Sequence, residues 1–331
     1  MSTNSESYDA VDSLPNSQLD NIKNLLHLFN GILYATVASI PIFFKWLFHL
    51  FLPPPLKNIS GQLALITGSS AGIGRAIAMR LAREGCHIAI VNRNLKMGQK
   101  VAEEIRAQYK VKAIAFEADV SKCEDVKRLK REVEESLGNV DILVNNAGLL
   151  SLENSLLEGN DEDYQRVVDV NLTSYFWTTR AFLPGMMERK KGHIVSVSSL
   201  ITKISVFGTI AYTTTKYGNI GFMEALNEDL KFFGYSDCIK TTTVLPTLVG
   251  TQRKHSQMVE AISKIPVSNV YAIAKDIVYG MQRNRRIFSV PQSAGLVGIF
   301  SWFPDDACFL GKLKLMDKSK LDEFMKIRAK K

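Results

Sequence analysis

The stretch that decides the fold is "QLALITGSSAGIGRAIAMRLAREG", residues 62–85. Its start, "QLALITG", predicts a buried strand, and its second half, from residue 72, predicts an amphipathic helix. Between them lies the glycine-rich turn "TGSSAGIG", residues 67–74. A glycine turn that directly follows a strand and opens a helix is typical of a dinucleotide-binding site.

The glycines of this turn have distinct physical tasks in such a site. Gly68 allows the tight turn, Gly72 lets the backbone approach a pyrophosphate, and Gly74 lets helix and strand pack closely. The N–H groups at the helix N-terminus would bind the phosphates. Ser70 and Ile73 belong to the same turn, and we expect them to contact the cofactor as well.

The chain beyond the turn continues the same alternation of strands and helices. The predicted strands are "HIAIVNR" (87–93), "AIAFEADV" (113–120) and "VDILVNNAG" (140–148), and amphipathic segments lie between them. Strands that alternate with helices of ten to fifteen residues form βαβ units. The sequence therefore predicts an α/β fold, a single Rossmann-type doubly wound parallel sheet with helices on both faces, from about residue 60.

The ends of the predicted strands carry polar or small residues. The second strand ends with Asn92 and Arg93, where an enzyme that uses the unphosphorylated dinucleotide usually has an acid for the ribose 2′-OH. A guanidinium there suits a 2′-phosphate, so NADP(H) is favoured and NAD(H) remains possible. Asp119 and Val120 end the third strand and are expected at the adenine. Asn146, Ala147 and Gly148 end the fourth, where small side chains leave room for the ribose.

A tyrosine and a lysine lie four residues apart in "AYTTTKYG", residues 211–218. On a helix, Tyr212 and Lys216 would share one face and one local environment. The bare spacing is common by chance and carries little weight alone.

These motifs together resemble the short-chain dehydrogenase/reductase family. They are Thr67-Gly68-x-x-x-Gly72-Ile73-Gly74, Asn145-Asn146-Ala147-Gly148, Tyr212-x-x-x-Lys216 and Pro246-x-x-Val249-x-Thr251, in the family's order across residues 60–255. The apolar N-terminus, "PGMMERKKGHIVSVSS" and "RRIFSVPQSAGLVGIFSWFPDDACF" resemble the branch with membrane- and lipid-droplet-associated 17β-hydroxysteroid dehydrogenases and epidermal retinol dehydrogenases.

The resemblance implies a catalytic set. Tyr212 would be the proton donor or acceptor at the substrate oxygen, and Lys216 would lower its pKa and hold the nicotinamide ribose. Ser199, rather than its neighbour Ser198, matches the serine that hydrogen-bonds the substrate. Asn171 matches the asparagine that sustains a proton-relay water.

The resemblance also implies a nicotinamide-side loop at Pro246, Val249 and Thr251. Thr247 stands where the family usually has glycine. "TQRKHSQMVEAISKIP", residues 251–266, is expected to be a mobile substrate lid. The substrate would be a lipophilic alcohol, ketone or aldehyde, with a 3-ketoacyl or 3-ketosphinganine reductase as the alternative. Homodimerisation is a further expectation of the family.

The N-terminal region differs sharply from the rest of the chain. We expect an acidic disordered leader (1–22), a hydrophobic membrane anchor (23–56), the main domain (57–290), and an apolar patch with a basic tail (291–331). Residues 25–44 contain no charged side chain and as a helix would span about 30 Å, the hydrocarbon thickness. Pro41 leaves a single span and a hairpin both open. A secretory signal is disfavoured by the acids ahead of the run.

Composition narrows the remaining classes. The 331 residues carry a net charge of +8, no nucleic-acid motif, and four scattered cysteines without metal or disulfide spacing. Lys45 and Lys57 after the apolar run place the main domain on the cytosolic side. We expect it at the endoplasmic reticulum membrane or a lipid droplet. A non-catalytic protein of the membrane or lipid-droplet surface is the alternative from another class.

Overall fold

The computed structural model describes residues 18–151, 156–206, 208–249 and 268–302. They fall into two compact units that divide between Pro55 and Leu56. The N-terminal unit contains one helix, α1 (Gln18–Phe51), which continues through Pro41 without a break. It begins inside the segment predicted as a disordered leader.

The apolar side chains of helix α1 whose burial is described are exposed around the helix. A stretch from Asn21 to His49 is long and apolar enough to cross a membrane, and none of its most apolar window is buried within the protein. Such exposure is unfavourable in water and favourable in lipid. The predicted N-terminal apolar helix is therefore present as a candidate membrane anchor.

The second unit contains seven strands and seven α-helices within the described residues. The strands are β1 (Leu63–Thr67), β2 (His87–Asn92), β3 (Ala113–Glu117), β4 (Ile142–Asn145), β5 (Gly192–Val197), β6 (Ile239–Pro246) and β7 (Ile287–Val290). The helices are α2 (Gly72–Arg83), α3 (Leu95–Gln108), α4 (Cys123–Leu137), α5 (Asp161–Val168), α6 (Ser174–Glu188), α7 (Ile210–Phe232) and α8 (Val270–Gln282).

The seven strands form one parallel sheet in the order β3-β2-β1-β4-β5-β6-β7. The order reverses between β1 and β4, and ligands of doubly wound sheets bind in the crevice beyond the carboxyl ends of such strands. The predicted Rossmann-type fold is confirmed.

Alternating side chains of the strands supply two separate cores. In β1, Ala64 and Ile66 lie in the core formed with α2, α3 and α8, whereas Leu63 and Leu65 lie in the core formed with α4, α6 and α7. Because successive strand residues point to opposite faces, a strand buried on both faces must be apolar throughout. This requirement explains the uninterrupted apolar runs of β1 and β2.

Candidate active site

The glycine turn after β1 adopts backbone conformations that favour glycine. Gly68 and Gly72 have φ of +65° and +55°. A Cβ on Gly68 would lie 2.9 Å from the Ala147 Cα, and one on Gly74 would overlap the Asn146 side chain and the Gly68 carbonyl oxygen. The turn thus lies directly against the segment after β4.

The N-terminus of α2, at the end of this turn, has no side-chain cap. Ala71 occupies the N-cap position, and the first turn contains no acidic residue. Helices α3, α5 and α8, by contrast, are capped by asparagine side chains. N–H groups of an uncapped first turn can bind an anion, so the turn fits a dinucleotide pyrophosphate. Ile73 packs against the core below, and Ser70 lies on the turn itself.

The Thr67 side chain ties the glycine turn to the segment after β4. Its hydroxyl oxygen accepts from the backbone N–H groups of Asn146 and Ala147, each at 3.0 Å. The Asn146 amide donates back to the carbonyl oxygens of Thr67 and Gly68 at 2.9 and 3.2 Å. The sequence pattern identified Thr67 only as a motif position, although its place at the end of β1 indicated a residue near the cofactor. Gly148, next along, is exposed.

The end of β2 is polar and lacks an acid. The Asn92 amide donates to the Ser70 hydroxyl, which links β2 to the glycine turn. Arg93 is exposed and lines an open pocket of about 710 Å³, together with Asp119 and Arg128.

The end of β3 places a carboxylate near Arg93. Asp119 accepts from the Ser121 hydroxyl and backbone N–H at 2.7 and 3.1 Å. Burial works to raise the pKa of Asp119, but these hydrogen bonds and the charges of Arg93 and Lys122 lower it overall. Val120 is buried beside it.

Asn171 lies in a short π-helical turn, Asp169–Thr173, between α5 and α6. Its carboxamide oxygen accepts from the Leu149 N–H at 2.7 Å, and its nitrogen donates to the Leu149 carbonyl at 2.9 Å and the Thr215 hydroxyl at 3.2 Å. Leu149 follows β4 and Thr215 lies on α7. Asn171 thereby joins the end of β4 to the helix that carries Tyr212 and Lys216. Thr215 was not singled out from sequence.

The two serines after β5 point to different partners. The Ser198 hydroxyl donates to the backbone carbonyl of Lys216 at 2.9 Å and is buried. The Ser199 hydroxyl accepts from the Ile201 N–H at 3.2 Å. It also lies close enough to the Tyr212 hydroxyl to lower the pKa of that phenol. Ser199, not Ser198, is therefore the serine beside Tyr212.

Tyr212 and Lys216 lie one turn apart on α7, with the ammonium 5.4 Å from the centre of the tyrosine ring. The Lys216 ammonium donates to the Val197 carbonyl at 3.0 Å. Burial lowers the pKa of Lys216 to about 8. Burial also raises the pKa of Tyr212, and the hydrogen bond with Ser199 offsets this only in part. The pKa of Tyr212 is thus raised rather than lowered as the sequence analysis expected, because burial outweighs the interaction with Ser199.

A second tyrosine lies beneath this group. Tyr175 on α6 is fully buried, donates to the Asn145 carbonyl at 2.9 Å and accepts from the Ser196 hydroxyl at 3.2 Å. Burial raises the pKa of Tyr175, so its phenol stays protonated and can keep donating this hydrogen bond. It holds the ends of β4 and β5 together, and nothing in the sequence pattern distinguished it.

The predicted nicotinamide-side loop begins at the end of β6. Pro246 is buried there, and Thr247, which replaces the family's glycine, donates its N–H to the Val290 carbonyl at 2.9 Å. Val249 pairs with Ser268 in an isolated parallel bridge. Thr251 and the predicted lid lie outside the described residues.

Comparison with known proteins relates this chain to short-chain dehydrogenases. A family model described as short chain dehydrogenase matches residues 62–261. Retinol dehydrogenase 10-B from Xenopus laevis is 36% identical over 244 residues, which are 66% of this chain and 69% of that protein. Human 17-beta-hydroxysteroid dehydrogenase 13 is 30% identical over 266 residues, 80% of this chain and 87% of that protein.

Solved structures agree on the fold. L-sorbose reductase from Gluconobacter frateurii, complexed with NADPH and L-sorbose, matches with a TM-score of 0.64 and 27% identity over 71% of this chain and 95% of that one. A short chain dehydrogenase/reductase from Burkholderia phymatum, in complex with NAD, matches with a TM-score of 0.67 and 21% identity over 73% of this chain and 93% of that one.

Proposed function

The chain belongs to the short-chain dehydrogenase/reductase family, and from that premise we propose that it interconverts a lipophilic alcohol and its ketone or aldehyde with NADP(H). Its family makes it an oxidoreductase that acts on alcohols with a nicotinamide dinucleotide. The substrate class, the role of each side chain and the preference for NADP(H) are the proposal.

The observation that carries the proposal is the convergence of four side chains at the carboxyl ends of β4 and β5. Asn171, Ser199, Tyr212 and Lys216 come from three different parts of the chain and are joined through the Leu149, Thr215 and Val197 contacts described above. A surface protein that used the fold only as a platform would have no need of this arrangement.

Each side chain has a task that its contacts support. Tyr212 transfers a proton to or from the substrate oxygen, and Ser199 hydrogen-bonds the same oxygen and orients it. Lys216 supplies positive charge near the phenol and a donor for the nicotinamide ribose. Asn171 holds the backbone after β4 against α7 and sustains a relay water. The bound dinucleotide supplies the hydride.

The reductive direction requires a protonated Tyr212. At neutral pH its phenol is protonated and can donate to a carbonyl oxygen that gains a hydride. The Lys216 ammonium, with a pKa of about 8, is charged under the same conditions. Reduction at neutral pH therefore needs no change of protonation before the reaction.

The absence of an acid at the end of β2 supports NADP(H). Asn92 presents an uncharged amide beside Ser70, and Arg93 is exposed and free to reach a 2′-phosphate. The nearby Asp119 attracts the same guanidinium and opposes this preference.

An apolar rim supports a lipophilic substrate. Five large side chains near the ends of β4, β5 and β7 are exposed: Leu150, Val206, Ile210, Leu296 and Ile299. Leu296 and Ile299 lie on a 3₁₀ helix, Gln292–Trp302. This helix passes close to Lys203, since a Cβ added to Gly298 would lie 3.7 Å from the Lys203 Cδ. Lys203 follows Ser199 closely, so this segment borders the catalytic group. Two of the relatives are named for retinol and a hydroxysteroid.

Helix α1 supports a membrane location, which we assign to the endoplasmic reticulum or a lipid droplet with the main domain in the cytosol. Exposed Phe176 and Tyr217, on α6 and α7, support a homodimer formed through these helices. Sedimentation in detergent would show a monomer if that assembly is wrong.

A substrate panel tests the proposal. The full chain in detergent is assayed with NADPH and NADH against retinal, a 17-ketosteroid and a long-chain 3-keto lipid. NADPH-dependent turnover of retinal or the steroid supports the proposal, whereas exclusive turnover of the 3-keto lipid supports the 3-ketoacyl or 3-ketosphinganine alternative. A chain that binds neither dinucleotide would be a membrane-surface protein.

A further inference from the structure

Two basic clusters, "RKK" (189–191) and "RNRR" (283–286), take no part in the proposed reaction. The first lies between α6 and β5 and the second between α8 and β7. The segment from Lys231 to Lys240 covers the end of α7, the loop after it and the start of β6, and it lies at the corresponding place in the chain. Because β5, β6 and β7 are parallel neighbours, the three segments meet at the amino ends of these strands, which we name the amino edge.

Hydrogen bonds and an ion pair join the three segments. The Gly192 N–H donates to the Cys238 carbonyl at 3.2 Å, and the Thr243 N–H donates to the Arg286 carbonyl at 2.7 Å. The Arg286 guanidinium lies 3.6 Å from the Glu228 carboxylate on α7. The amino edge is thus one continuous surface.

Two aromatic rings project from this surface. Phe232 and Phe233, at the end of α7, are 85% and 64% exposed, and their rings pack edge to face with centres 5.2 Å apart. Adjacent phenylalanines so exposed to water are unfavourable unless another surface covers them.

The amino edge that carries these rings has an excess of positive charge. The basic side chains of the amino edge are Lys57, Arg189, Lys190, Lys191, Lys231, Lys240, Arg283, Arg285 and Arg286, and its acidic ones are Asp141, Glu188, Glu228, Asp229 and Asp237. Aromatic rings surrounded by excess Lys and Arg are typical of surfaces that contact an anionic membrane.

The segment that follows the apolar helix is attached to the same edge. The Lys57 N–H donates to the Gln282 carbonyl at 3.0 Å, and its ammonium hydrogen-bonds the buried His193 ring. Five residues separate Lys57 from Phe51, where α1 ends. A link of that length spans at most about 20 Å.

We propose that the amino edge docks on anionic phospholipid headgroups, with Phe232 and Phe233 inserted among them. The proposal rests on the membrane anchor of the proposed function, since a helix held in lipid keeps Lys57 within reach of the surface. Each Lys or Arg near a negatively charged membrane surface strengthens the binding of the protein to it by about fivefold, and salt weakens this attraction.

Docking in this orientation narrows the substrate class. Strands of about six residues separate the amino edge from the catalytic side chains by about 20 Å. The substrate must therefore leave the bilayer before it reacts. This favours molecules that exchange as monomers, such as a retinoid or steroid, over lipids with two long chains.

Lysine acetylation of the full chain in vesicles tests the proposal. Vesicles of phosphatidylcholine alone are compared with vesicles that also contain phosphatidylserine, and the rate at each lysine is read by mass spectrometry. We expect Lys190, Lys191 and Lys231 to react at least about fivefold more slowly with phosphatidylserine present. Exposed Lys100 and Lys127, on α3 and α4, should be unaffected. Equal rates at the edge lysines in both vesicles would overturn the proposal.

Matched charge reversals distinguish docking through the amino edge from an effect of the net charge of the protein. Arg285→Glu with Arg286→Glu should abolish the protection, whereas Lys100→Glu with Arg131→Glu should leave it unchanged. Phe232→Ser with Phe233→Ser should reduce the protection without removing it, since the basic side chains of the amino edge remain. Vesicle flotation and NADPH turnover are recorded in parallel. If the chain floats with the vesicles but its edge lysines are not protected, the docking proposal is wrong and the membrane anchor stands. If the chain does not float, both the docking proposal and the membrane anchor are wrong. Loss of turnover alone would contradict the proposed reaction and leave the docking proposal standing.

Discussion

Replacing Thr67 by valine isolates the contribution of one hydroxyl to the cofactor cleft. Valine keeps the shape and the strand preference of threonine, so no cavity forms in this fully buried position. The substitution leaves the N–H groups of Asn146 and Ala147 without the acceptor that each now has at 3.0 Å. Both residues are only partly buried, so an unmade hydrogen bond costs about 1–2 kcal/mol each and the total is about 2–4 kcal/mol.

Thr67→Ser is the matched control, because it keeps the hydroxyl and loses one methyl group. Urea unfolding of the full chain in detergent, followed by tryptophan fluorescence, gives the difference in free energy, and NADPH titration gives the dissociation constant. We expect Thr67→Val to be less stable than Thr67→Ser and to bind NADPH more weakly, since the segment after β4 loses its attachment. Equal stability and equal affinity of the two variants would refute the reasoning.

Three further predictions concern charge. Arg93→Ala should raise the KM for NADPH by about 10- to 100-fold and leave the KM for NADH nearly unchanged, because the guanidinium would lose hydrogen bonds to the 2′-phosphate. Arg131→Ala on α4 is the control. Equal effects on both KM values would refute a 2′-phosphate contact. The kcat/KM for reduction should be level to about pH 7.5 and fall as Lys216 loses its proton near its pKa of about 8; a profile level to pH 9.5 would contradict this. Burial and the charges of Lys57 and Lys240 hold the pKa of His193 well below its usual 6.5. Below about pH 6.5 the imidazole is therefore protonated in the unfolded chain but not in the folded one. The free energy of unfolding then decreases by up to about 1.4 kcal/mol for each pH unit of acidification. His193→Gln should remove that part of the acid dependence, as urea unfolding at pH 7.5, 6.0 and 5.0 would show, and an unchanged slope would argue against a neutral buried His193.

Sequence alone predicted the parts of the fold that depend on local patterns. The glycine turn at residues 67–74 and the alternation of apolar strands with amphipathic helices led directly to the doubly wound sheet. Period and turn chemistry are short-range signals, and both survive in a single sequence. Helix α1 was equally visible from composition, but its continuity through Pro41 was not, because a proline in an apolar helix is compatible with a kink, a hairpin or neither.

Contacts between distant residues could not be predicted in the same way. Sequence placed Asn171 only by motif, whereas its attachment to Leu149 depends on the π-helical turn at Asp169–Thr173, for which no residue pattern is diagnostic. The fully buried Tyr175 is one of ten tyrosines, and its partners at Asn145 and Ser196 appear only after the strands are brought together. The sign of the Tyr212 pKa shift likewise depends on burial, which spacing does not encode.

The measurement that tests the central claim most directly is NADPH-dependent reduction by Tyr212→Phe, with Tyr217→Phe as control on the same helix. Tyr217 is exposed, so its substitution tests the loss of a phenol hydroxyl away from the catalytic side chains. If Tyr212 is the proton donor, its loss lowers kcat by at least about 100-fold while the dissociation constant for NADPH and the unfolding midpoint stay the same. Turnover by Tyr212→Phe within a few-fold of Tyr217→Phe would contradict the account.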